Sequence, residues 1–109
     1  MKRERFEELV SAAIAEMPEE FRKRLENVAI IVEDRHPDED LFGLYEGTPL
    51  TERGAEAPLY PDRIWIFQEP IEQECEGEDE VKEEIRLTIM HEIAHFFGMD
   101  EDEIEDLGY

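Results

Sequence analysis

Apolar residues in the first part of the chain recur every three or four positions, which is the spacing of one helix face. These residues are Phe6, Leu9, Val10, Ala13, Ile14 and Met17. They predict a first helix over residues 3–17, which Pro18 ends. Since proline suits the first turn of a helix, a second short helix is expected after it, with Phe21 and Leu25 on its buried side.

Three short runs in the middle of the chain have the composition of β-strands. Residues 28–32 are a β-branched run that predicts a largely buried strand. Residues 41–46 predict a second strand, in which Gly43 indicates a sheet edge or a close approach of another backbone. Residues 63–68 predict the third strand.

The longest periodic segment begins at Asp79, a candidate N-cap, and ends at Gly98, a natural C-cap. Its apolar residues lie one helical turn apart and predict a buried stripe. The stripe consists of Val81, Ile85, Ile89, Ile93 and Phe96.

The remaining segments are connections and a short C-terminal element. Residues 48–61 predict a long loop, and residues 71–78 predict a polar, acidic connection. After the long helix, Ile104 and Leu107 form the apolar pair of a short helix. The order α-α-β-β-β-α-α predicts a single small α+β domain over residues 1–109.

The negative net charge of the chain argues against some classes of binding partner. The chain has 32 acidic and 11 basic residues, a net charge of −21, and residues 69–109 hold 16 of the acids with only 2 bases. This argues against nucleic-acid binding and against docking on anionic membranes, both of which use Lys and Arg. The N-terminus is charged, no apolar run approaches about 20 residues, and the chain has a single cysteine, Cys75. Together these features predict a cytoplasmic protein.

The long helix contains the H-E-x-x-H pattern, formed by His91, Glu92 and His95. Residues four apart lie on one helix face, so the two imidazoles can bind one ion. They lie roughly 135° around the helix from the apolar stripe, so they are not part of it. Zinc lowers the pKa of its bound water to about 7, and Glu92 is placed to take the proton as that water attacks a carbonyl.

A catalytic zinc site usually has a third protein ligand. Gly98 lets the chain leave the helix just past His95, so that an acid soon afterwards can return to the ion. We favour Glu101, ten residues after His91. The alternatives that spacing leaves open are Asp102, Asp100 and Glu105.

The segment HEIAHFFGMDEDEIEDLG resembles the small zincin-like metallopeptidases of bacteria, also called minimal zincins. The likeness extends to VAIIVED, LFGLYEGTPLTERG and PDRIWIFQEPI, and so covers nearly the whole chain from residue 7. The family's motif is similar to H-E-x-x-H-x-x-G-x-x-D; it falls on the residues above, with Glu101 in place of the usual Asp. The resemblance implies a reduced zincin core, with a three-stranded sheet and an active-site helix, Zn²⁺ as cofactor and zinc-dependent endopeptidase activity.

Zincins generally align a substrate along an edge strand above the metal. By resemblance, this assigns substrate binding to Phe42, Gly43, Leu44, Tyr45 and Glu46, where strand addition would supply main-chain affinity. An ordinary edge strand is an equal alternative. Tyr45 or Tyr109 is also a candidate to stabilise an oxyanion, although a tyrosine is more often simply packed.

Two other residues are possible metal ligands by residue type. Peptide deformylases combine H-E-x-x-H with a cysteine ligand, but Cys75 lies only 16 residues before His91 and is better explained as a surface-loop thiol. His36, which precedes Pro37 in an acidic turn, is expected to face solvent.

We therefore expect a zinc metalloendopeptidase that acts on peptides or proteins, with a preference for basic ones. The alternative from another class is a zinc-stabilised, non-catalytic acidic module that binds a basic protein or peptide. Glu92 favours catalysis, because a structural zinc site has no use for a carboxylate at that position.

Overall fold

The computed structural model of the chain describes residues 1–47 and 62–106. They form an α+β fold, as expected, with five helices and a three-stranded mixed sheet in this part of the chain. The elements in chain order are α1 (Arg3–Ala15), α2 (Glu19–Leu25), β1 (Val28–Glu33), β2 (Gly43–Glu46), β3 (Asp62–Phe67), α3 (Gln68–Glu74), α4 (Glu78–Phe96) and α5 (Glu101–Asp106). The expected loop over 48–61, Leu107 and Tyr109 lie outside the described residues.

The sheet has the order β1-β3-β2, with β1 parallel and β2 antiparallel to the central strand β3. Two strands therefore lie at the edges. The prediction of a largely buried β1 was wrong, because only Val28 of this strand is buried and the rest is half-buried or exposed. The prediction of an edge strand at Gly43 is confirmed by the position of β2.

The core lies between the sheet and the helices α1 and α4. Ile64 and Ile66 of β3 are fully buried on the face that α4 covers, and Phe6 of α1 is fully buried beside them. The predicted stripe of α4 is also buried, apart from the half-buried Phe96. The opposite side of α4 is thereby left to form a cleft with β2. No helix of residues 1–47 and 62–106 is long and apolar enough to cross a membrane.

The acidic connection expected over 71–78 was wrong, since its first half belongs to helix α3, which begins at Gln68 directly after β3. Pro70 lies in the first turn of this helix, where a backbone N–H has no intrahelical partner to lose. Ile71 is fully buried and holds α3 against the core. A helix of seven residues, about two turns, in which Ile71 is the only fully buried side chain, is too short to show a period in the sequence.

Helix α4 begins two residues earlier than expected, with Gly77 rather than Asp79 as its N-cap. Its C-terminal end is as expected. Gly98 has φ of 77°, its N–H donates to the carbonyl of His95 at 2.9 Å, and the N–H of Met99 donates to the carbonyl of Ala94 at 3.3 Å. This is a Schellman motif, in which glycine is favoured because the left-handed conformation strains other residues.

Candidate metal centre

The cleft side of α4 carries His91, Glu92 and His95. One polar atom from each lies within 4.8 Å of the others, an arrangement that could hold a metal ion. Both histidines are half-buried, whereas Glu92 is only 7% exposed. The 3.6-residue helical period causes this difference, because Glu92 lies between the histidines and the buried stripe.

A fourth residue reaches the same place from α5. The Oε1 atom of Glu101 lies 3.3 Å from Nε2 of His91 and 3.4 Å from Nε2 of His95. The turn at Gly98 reverses the chain, and fully buried Ile104 anchors α5 against the fold. Glu101, the first residue of α5, is thus held over the C-terminal end of α4.

The neighbouring acid Asp100 has a different use. Its Oδ1 accepts a hydrogen bond from the N–H of Glu103 at 2.9 Å, and the N–H of Ile104 donates to its carbonyl at 3.0 Å. Asp100 therefore caps the N-terminal end of α5. Of the four acids that spacing left open, Glu101 is the one for which the structure gives contacts with the histidines.

The donor set fits zinc. Nitrogen and oxygen ligands at about 2.0–2.2 Å from a tetrahedral zinc ion lie roughly 3.3–3.5 Å from one another. The distances of Glu101 Oε1 from the two Nε2 atoms, 3.3 and 3.4 Å, fall in this range. Two imidazoles and one carboxylate also match the ligand set of catalytic zinc sites, which leaves a fourth position open.

The carboxylate of Glu92 has two different environments. The main-chain N–H of Tyr45 donates to Oε1 at 3.0 Å, while Oε2 lies 3.6 Å from Nε2 of His95. Burial raises the pKa of Glu92, and the neighbouring Glu101 adds to the increase. The charges of His95 and His91 and the hydrogen bond from Tyr45 oppose it.

The site opens into a cleft of about 680 Å³ between α4, β2 and the segment before β2. His91, Glu92, His95 and Glu101 all line this cleft. Its other walls include the acids Glu39, Asp40 and Glu84 and the apolar residues Leu41 and Leu87. A peptide segment can reach the histidines from solvent through this opening.

A family model described as zincin-like metallopeptidase matches residues 25–109, from the end of α2 onwards. The chain belongs to the zincin-like metallopeptidase family. A comparison with curated proteins finds no match. Family membership supports a hydrolase, and members usually bind a metal, typically zinc.

Three of the five residues expected to bind substrate line the cleft of this zincin-like metallopeptidase, namely Phe42, Gly43 and Leu44. Glu46 instead pairs with Arg63 of β3 at 3.1 Å. Tyr45 approaches Glu92 through its main chain.

The hydroxyl of Tyr45 donates to Oδ2 of the buried Asp62 at 2.5 Å. This contact favours the expectation that the tyrosine is simply packed over a role at an oxyanion. Tyr109, the other candidate for that role, lies outside the described residues.

His36 is not solvent-facing as expected. It is half-buried, its ring meets Phe67 edge-on at 5.8 Å, and its Nδ1 accepts hydrogen bonds from the N–H groups of Asp38 and Glu39. It therefore holds the turn before β2 in the zincin-like fold.

Cys75 is a free thiol in the connection between α3 and α4, as expected, but it is half-buried and packs against the core rather than lying at the surface. Burial raises the pKa of its thiol, and the charges of Glu84, Glu80 and Glu74 raise it further. These surroundings disfavour the thiolate that a zinc ligand must be.

Sequence reasoning missed two neighbours of Glu92. One is the N–H of Tyr45, and the other is Thr88, a buried residue one turn earlier on α4 that lines the cleft. The signal that could have found them is Gly43, because a glycine in a strand indicates that something packs close to its backbone.

Proposed function

We propose that the protein is a zinc-dependent endopeptidase with Glu92 as its general base. One observation carries the proposal, which is the carboxylate of Glu92, buried beside His91 and His95 at the wall of an open cleft. A carboxylate at that point has little use in a purely structural zinc site. Membership in the zincin-like metallopeptidase family supports the same activity.

We propose His91, His95 and Glu101 as the three ligands. The distances from Oε1 of Glu101 to the two Nε2 atoms support this choice, and Glu101 replaces the aspartate that is usual in the family motif. When bound there, zinc would lower the pKa of a water to about 7 and polarise the carbonyl of the scissile peptide.

Glu92 acts on protons at two stages of this proposal. Its carboxylate takes a proton from the attacking water as the new C–O bond forms at the peptide carbonyl. It then gives that proton to the amine nitrogen as the C–N bond breaks. The raised pKa of the buried carboxyl supports the first step, because a stronger base accepts the proton of the water more readily.

The substrate is proposed to lie as an added strand beside the start of β2, along residues 42–44, which line the cleft. β2 is an edge strand, and Phe42, Gly43 and Leu44 line the cleft that contains Glu92. Main-chain hydrogen bonds give such a peptide affinity that depends little on its sequence.

Basic peptides are the proposed preference. Glu39, Asp40 and Glu84 line the cleft next to Leu41 and Leu87, so a lysine or arginine can pack its aliphatic part and keep its charge near carboxylates. The net charge of −21 adds long-range attraction for cationic substrates.

The test is cleavage of a peptide library by the zinc-loaded protein, with the products identified by mass spectrometry. We expect internal peptide bonds to be cut, cleavage to stop after metal chelation, and zinc to restore it. The absence of any zinc-dependent cleavage would reject the peptidase and leave the alternative, a zinc-stabilised module that binds a basic protein or peptide.

A further inference from the structure

We propose that the main-chain N–H of Tyr45 is the positioning group of Glu92. It holds one oxygen of the carboxylate at the edge of β2 that faces away from β3 and so directs the other oxygen towards the histidines. The mechanistic part of this inference rests on the proposed role of Glu92 as general base. The contact itself can be tested without any activity.

The direction of the Tyr45 amide follows from the register of the sheet. Phe42 lies opposite Phe67, and the N–H of Phe67 donates to the carbonyl of Phe42 at 2.9 Å. In an antiparallel pair the main-chain groups of successive residues point alternately towards and away from the partner strand. The main-chain N–H and C=O groups of Leu44 therefore point towards β3. Those of Gly43 and Tyr45 point away from β3, at the edge of the sheet.

The outward amide of Tyr45 meets Oε1 of Glu92 at 3.0 Å. A hydrogen bond to a carboxylate is stronger than one between neutral groups, and a buried carboxylate without a donor would be costly. This contact fixes Oε1 and leaves Oε2 as the oxygen near the histidines, 3.6 Å from Nε2 of His95. The two oxygens thus have separate tasks, one as an anchor and one for the proton.

Gly43 and Thr88 set the distance between the edge strand and the helix. A Cβ atom on Gly43 would lie 2.5 Å from Cγ2 of Thr88, 3.0 Å from the carbonyl oxygen of Trp65 and 3.5 Å from Cγ of Glu92. A residue with a Cβ atom at position 43 must displace the Thr88 side chain or move β2 away from α4, and we expect the second because the Trp65 carbonyl blocks the other side. The Tyr45 amide would then move away from Glu92, although the zinc ligands lie elsewhere on α4 and α5.

Amide hydrogen exchange by NMR in the metal-free protein tests the contact. In Glu92→Ala the amide of Tyr45 should exchange about 10-fold faster or more, because it loses its acceptor. The amide of Leu44, which points towards β3, is the internal control and should keep its rate. An unchanged rate at Tyr45 would overturn the proposal, and so would an equal acceleration at both amides, which reports fraying of the whole strand.

A second arm tests positioning in the zinc-loaded protein. Gly43→Ala should lower kcat by about 10- to 100-fold while zinc affinity stays within about 3-fold, since a displaced general base is costly. Adding Thr88→Ser removes the methyl group that meets the new Cβ, so the double variant should recover part of kcat. Equal kcat in Gly43→Ala and wild type, or no recovery in a folded double variant, would contradict the proposal.

The two proposals fail separately. If wild type cleaves no peptide, the proposed function is wrong, but the exchange rate of the Tyr45 amide still decides whether the amide holds Glu92. If wild type cleaves peptides and that rate does not depend on Glu92, only the positioning inference is wrong.

Discussion

The Oε1 atom of Glu101 lies 3.3 Å from Nε2 of His91, although ten positions separate the two residues in the chain. The Schellman turn at Gly98 and the buried anchor Ile104 bring them together. The proposed metal centre therefore depends on the link between α4 and α5 as much as on the histidine pair.

Removing the carboxylate of Glu101 should weaken zinc binding. We expect Glu101→Gln to raise the zinc Kd by more than about 100-fold. Loss of a group that only supports a metal ligand costs up to about 100-fold in affinity, and loss of the ligand itself should cost more. Competition with a chromophoric chelator measures the change. Glu105→Gln is the matched control, because it removes one exposed charge from the same short helix. Equal affinities of the two variants would contradict the assignment of Glu101.

Substitution of Gly98 should affect both stability and metal binding. Its φ of 77° costs a residue with a side chain roughly 1–2 kcal/mol, so Gly98→Ala should lower the free energy of unfolding by about that amount. Gly98→Asn should lose less, since asparagine tolerates this conformation better. Urea unfolding of both variants checks the order. An alanine variant as stable as wild type would show that a side chain at position 98 causes no backbone strain.

The sequence predicts the α+β class, the start of α4 to within two residues, and the turn at Gly98, because each rests on a local pattern. It favoured Glu101 but left Asp102, Asp100 and Glu105 open, since all of these acids follow the turn closely. The choice depends on Asp100 being used as the cap of α5, a contact that only the fold defines. The hydrogen bond from Tyr45 to Glu92 joins residues that are 47 positions apart, and its donor is a main-chain N–H. No pattern of side chains in the sequence could therefore predict it.

The same limit explains two wrong predictions. The burial of β1 depends on its place at an edge of the sheet. The hydrophobicity of a single strand does not determine the order of strands, so it could not predict this place. Helix α3 is held by tertiary contacts of Ile71 and Gln68 rather than by a periodic face.

The thiol of Cys75 should titrate above its ordinary pKa, because burial and nearby carboxylates disfavour the thiolate. The thiolate is the reactive form, so the pH profile of its reaction with a disulfide reagent should have a midpoint higher in the native protein than in the unfolded chain. The midpoint, rather than the rate, separates this effect from simple access. A native midpoint at or below the unfolded one would contradict it.

Cleavage of basic peptides should weaken as salt is added, because the attraction between the cleft acids and a cationic substrate is screened. Asp40→Asn should raise KM for a peptide containing lysine more than for the same peptide with glutamine in its place. Glu26→Gln, an exposed acid at the end of α2, is the control for overall charge. A KM that is independent of salt and of Asp40 would rule out this preference.

The most direct measurement compares zinc content and kcat in Glu92→Gln and wild type under the same conditions. The account predicts one zinc ion per chain in both proteins, with kcat for peptide cleavage about 10²- to 10⁴-fold lower in the variant, as loss of a general base requires. A variant that keeps its zinc and still cleaves peptides at the wild-type rate would contradict the account.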